Sequence, residues 1–71
     1  MSMPAMPVWL DEQGRTVACT EKIKVMQENM QELFQMAQDA FEDGLLMGCA
    51  EAQLRAYLQA LAAGVENPYR S

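Results

Sequence analysis

From Ile23 to Gly44, apolar or small residues recur at alternating spacings of three and four: Ile23, Met26, Met30, Leu33, Ala37, Ala40 and Gly44. That period belongs to an α-helix, where residues three and four apart share a face, and not to a strand, whose period is two. Phe34 and Phe41 widen the face, and Glu28, Glu32, Asp39 and Glu42 occupy the opposite side. No proline interrupts the chain between Pro7 and Pro68. Thr20 is suited to cap the helix, with Glu21 in the first turn, where a negative charge favours the helix dipole. The spacing predicts a long helix over about 20–46. Gly44 falls inside it and costs about 1 kcal/mol relative to alanine. Its place on the seam suits a close helix crossing.

Gly48 can end this helix in the left-handed conformation that glycine tolerates. Ala50, Leu54, Tyr57, Leu58, Leu61 and Val65 then share one face of a second, shorter helix over about 49–63. Glu51 and Arg55 form a favourable pair four residues apart, and Gly64 and Pro68 supply the stop. Ahead of the long helix, Val8–Leu10 and Thr16–Cys19 flank the polar stretch DEQGR, the signature of a short β-hairpin over 8–19. Strands of three or four residues do not hold in water alone, so Trp9 is the expected anchor. Residues 1–7 and 67–71 are expected as tails, the first disordered and the second irregular, leaving one small domain over 8–66.

The predicted fold is mainly α, an antiparallel helical hairpin preceded by a short β-hairpin. A chain of 71 residues buries only about 60% of its unfolded surface as a monomer. Two helices cannot enclose their own apolar stripes, and the long helix has a face wide enough for two neighbours. A homodimer forming a four-helix bundle is therefore expected. The candidate interaction surface is Trp9, Met26, Met30, Leu33, Phe34 and Phe41. Methionine fills gaps in cores and also suits adaptable binding faces, so a protein partner is the second expectation for this surface.

Charge and composition exclude several function classes. Ten acids and five bases give a net charge of −5, and there is no histidine. An acidic chain repels nucleic-acid phosphates and anionic membrane surfaces. Without histidine the chain lacks the usual general base near neutral pH and the commonest metal ligand. Two cysteines fall short of the four ligands of a structural zinc site. No phosphate loop or nucleophile elbow occurs. We therefore expect no enzyme, no cofactor, no metal, no nucleic acid and no membrane span. The opening MSMPAMPVWLDE has neither the basic start nor the apolar stretch of a secretory signal. A cytoplasmic protein with reduced thiols is the expectation.

Two sharper readings compete with a plain interaction module. LLMGCAEAQLRAYLQAL, residues 45–61, has the look of a helix-turn-helix, so a small transcriptional regulator is the first alternative. A DNA-reading helix needs base-contacting amides and a basic footprint, whereas 45–63 contains Gln53, one base, Arg55, and one acid, Glu51. The second alternative is a thiol-based redox or metal-handling accessory using Cys49, which falls at or beside a helix N-terminus. No lysine lies near Cys49 in sequence, and a small hydrophobic role competes.

The succession WLDEQG, CTEKIKV, LLMGCAEAQ and ENPY over residues 8–69 resembles the layout of short helical bacterial proteins of unknown function. The resemblance implies a bacterial, cytoplasmic setting and carries no functional residue with it.

Overall fold

The computed structural model describes residues 2–70. Met1 and Ser71, the outermost residues of the two expected tails, lie outside the described residues. The chain is all-α, with α1 at Thr20–Leu46 and α2 at Glu51–Ala63. The described residues form two compact units, one running to Gln35 and one from Met36, so α1 contributes to both.

In the first unit the chain reverses through a polar turn. Leu10 and Thr16 make one isolated antiparallel bridge. Around it the Asp11 amide donates to the Arg15 carbonyl (2.8 Å) and the Val17 amide to the Trp9 carbonyl (2.9 Å). The turn closes by a bond from the Gly14 amide to the Asp11 carbonyl (3.0 Å), with Gly14 at φ 80°. The expected strands at 8–10 and 16–19 are thus represented by a single bridge. The segments are too short to continue the ladder beyond the Val17–Trp9 bond.

The cap of α1 differs from expectation by one residue. Thr20 is already helical, and its hydroxyl donates to the Ala18 carbonyl at 3.4 Å. The Cys19 carbonyl accepts the first helical bond, from the Ile23 amide (3.0 Å), so Cys19 holds the cap position. Within this unit the half-buried residues are Met3, Met6, Trp9, Asp11 and Val17 ahead of the helix, and Ile23, Met26, Gln27 and Phe34 on it. The indole Nε1 of Trp9 is buried with no hydrogen-bond partner among the described residues.

In the second unit α1 ends where the sequence predicts, and for the predicted reason. Gly48 has φ 91°. Its amide donates to the Leu45 carbonyl (3.0 Å), and the Cys49 amide donates to the Gly44 carbonyl (2.9 Å). These paired bonds are a Schellman closure, which satisfies carbonyls that the helix end leaves open. The chain then turns through Ala50, extended at φ −67° and ψ 133°, and α2 begins at Glu51, two residues later than expected. Because Ala50 is still extended, helical backbone resumes only at Glu51. No side chain caps α2.

The end of α1 and α2 pack as a helical hairpin, with Gly44 against Leu54. Gly44 is the one buried residue among those described. Ala37, Gln38 and Phe41 on α1 and Leu54 and Leu58 on α2 are half-buried beside it. Downstream, the Asn67 side chain accepts the Tyr69 amide (2.8 Å), and Tyr69 stands exposed.

Candidate functional site

The helical hairpin leaves an open apolar groove of about 340 Å³. Ala40 and Phe41 of α1 form one wall, Gln53, Tyr57 and Leu61 of α2 the other, with Leu54, Leu58 and Cys49 completing the lining. Heptad-like spacing builds it. Leu54 and Leu58 are one turn apart and turn toward α1, while Tyr57 and Leu61 sit on the adjoining flank of the same helix. Tyr57 remains 69% exposed and Leu61 54%. Gln53, Tyr57, Ala60, Leu61 and Gly64 line this flank in order, all exposed and none charged.

The charges of α2 lie away from that flank. The Arg55 Nε bonds the Glu51 carboxylate at 2.9 Å. The same guanidinium stands over the Phe41 ring, 4.7 Å from its centroid. Arg55 therefore joins α2 to α1 through the cation–π contact, while its ion pair with Glu51 stays within α2.

The residues singled out from sequence separate between the units. Trp9, Met26 and Phe34 are half-buried, and Met30 and Leu33 exposed, in the unit that runs to Gln35; Leu33 shows 61% of its surface. Phe41 belongs to the unit from Met36, where it is half-buried on the wall of the groove. Leu54, Tyr57 and Leu61 share one helix face in the sequence but fall outside the candidate surface expected on α1; their signal is the absence of charge at 53, 54, 57, 58, 60, 61 and 64.

Cys49 follows the left-handed turn directly, one residue ahead of the Ala50 cap, and its thiol is exposed. Cys19 is likewise exposed and free. Among the described residues no cluster of three or more cysteine, aspartate or glutamate side chains is arranged to hold a metal ion. No helix among them is long and apolar enough to cross a membrane. The Asp11 carboxyl is held below the ordinary aspartate range, chiefly by the Arg15 backbone N–H. Partial loss of water opposes this, and the Gln13 amide and Arg15 side chain reinforce it. This carboxylate organises the turn at 11–15.

No protein-family model, curated protein or solved structure matches this chain.

Proposed function

We propose that this chain is a non-enzymatic, acidic, helical interaction module that acts as a homodimer and presents apolar surface to protein partners. The observation that carries the reading is that two regular helices form while no hydrophobic residue among those described is buried. Helices of this length owe most of their stability to packing of an apolar face. Leu33, Tyr57, Leu61 and Val65 each expose more than half of their surface, and a four-helix bundle made from two helical hairpins would cover apolar side chains of this kind.

The reading includes a β-hairpin over 8–19, grown from the Leu10–Thr16 bridge, whose open edge can accept a strand from a partner. A reducing, cytoplasmic compartment suits two exposed free thiols. The lack of histidine throughout the sequence supports a role without catalysis. A transcriptional regulator is the weaker reading, because Arg55, the one base between residues 45 and 63, is held by Glu51 and Phe41.

Light scattering across a dilution series tests the proposal. A mass of twice the 8.0 kDa chain, holding into the low micromolar range, is expected. A monomer at every concentration overturns it.

A further inference from the structure

We infer that the groove between the end of α1 and α2 is the seat of α2 from a second copy, so that the two α2 helices meet at the centre of the dimer. This inference rests on the self-association proposed above and adds the surface that makes it.

Three observations converge. First, α2 is under-supported in its own chain. It has 13 residues, no side-chain cap and no buried residue, and isolated helices shorter than about 12–15 residues are marginal in water. Leu54 and Leu58 give it one half-buried edge; the Tyr57–Leu61 edge is open. Second, that edge is self-complementary in kind. A twofold contact sets one patch against its own copy. Here large Tyr57 and Leu61 alternate with small Ala60 and Gly64, beside Ala40 across the groove. Bulky side chains of one copy can enter the gaps of the other, as helix packing requires. Third, charge is segregated. Each chain carries −5, yet no charged residue lines the groove. Two copies can meet there without burying an unpaired charge, which would be costly. A strongly basic partner helix would gain nothing from this wall.

The length of the open edge favours a second copy over a small apolar ligand. Its residues from Gln53 to Gly64 are exposed and run about 16 Å along the helix, farther than a molecule filling 340 Å³ reaches, whereas a second helix spans it.

The test compares Leu61→Glu with Met36→Glu by light scattering, with circular dichroism to follow helix content. Met36 is 69% exposed on α1 and lies outside the groove lining. Leu61→Glu is expected to raise the dimer dissociation constant at least about tenfold, and Met36→Glu to leave it within about twofold. Isotope-filtered NMR on a mixed labelled and unlabelled dimer supplies a readout without mutation. Contacts from the Tyr57 ring to Leu61 or Ala40 methyl groups of the other copy are expected. A wild-type monomer removes the self-association reading, and this inference with it. A wild-type dimer that shows no inter-copy contact from these residues leaves that reading standing and overturns the inference. So does a dimer whose groove still takes up the apolar dye anilinonaphthalene sulfonate.

Discussion

A Cβ atom on Gly44 of α1 would lie 2.6 Å from Cδ2 and 2.9 Å from Cδ1 of Leu54 on α2. The missing side chain is what lets the two helices approach. Glycine weakens the interior of α1 locally and strengthens the hairpin through this contact.

Gly44→Ala separates the two effects. Helix propensity alone would stabilise the variant by about 1 kcal/mol. Leu54 Cγ also lies within 3.3 Å of the new atom, so the Leu54 side chain as a whole must turn away and give up its packing on α1; overpacking of this kind costs about 1–3 kcal/mol. Net destabilisation of about 1 kcal/mol is expected in urea unfolding. In a Leu54→Ala background the clash is gone, and Gly44→Ala should become neutral or stabilising. An increase in stability in the wild-type background would show that the contact does not constrain the helices.

Gly48→Ala is destabilising for a different reason. Nothing lies within 4 Å of an added Cβ, but the backbone sits at φ 91°. A residue with a side chain is strained there, by about 1–2 kcal/mol. Gly48→Asn should cost less than Gly48→Ala, because asparagine tolerates this region better. Hydrogen exchange localises the effect: the Gly48 and Cys49 amides, which close the helix end, should lose protection first. Equal costs for alanine and asparagine would contradict this account.

Asp11 gives the turn at 11–15 a pH dependence of known sign. The folded state holds its carboxyl below the ordinary value of 3.8. Its contribution is therefore complete above the ordinary value and is lost as pH falls through the lower folded one. Carboxyl carbon NMR should find Asp11 titrating below aspartate in a peptide of residues 8–18. The Gln13 and Arg15 amide shifts, whose protons bond its Oδ1 at 2.9 Å, should follow the same midpoint. A normal or raised value for Asp11 would remove the carboxylate from the turn's organisation.

Arg55 couples Glu51 and Phe41. The guanidinium is largely exposed, so each contact is worth about 0.5 kcal/mol. A double-mutant cycle of Arg55→Ala and Phe41→Leu should give a coupling of that size that survives 0.5 M salt, while the cycle with Glu51→Ala should shrink in salt. Loss of both couplings in salt would mean that the ring contact adds nothing beyond charge.

Local chemistry made much of this fold readable in advance. The alternating spacing from Ile23 to Gly44 defined α1, and observed bounds of Thr20–Leu46 match the expected range. Gly48 announced the helix end because a left-handed residue is a local requirement. The start of α2 falls two residues later than expected because the chain leaves the left-handed Gly48 through an extended Ala50 before helical backbone resumes. Thr20 looked like the cap by residue type, but Cys19 holds the position, since a backbone carbonyl suffices for the first bond.

The apolar pattern of 23–44 marked a face without saying which of its edges the chain itself would cover. Ile23, Met26, Ala37 and Gly44 ended up buried or half-buried, while Met30, Leu33 and Ala40 on the same seam stayed exposed. A helix's own periodicity is set by neighbours three and four residues away, so sequence carries it. How that stripe is shared depends on where another segment crosses, and here Gly44 and Leu54 set the crossing. The open flank Tyr57–Leu61 is its consequence: packing on α1 shields the Leu54–Leu58 edge of α2 and leaves the Tyr57–Leu61 edge exposed.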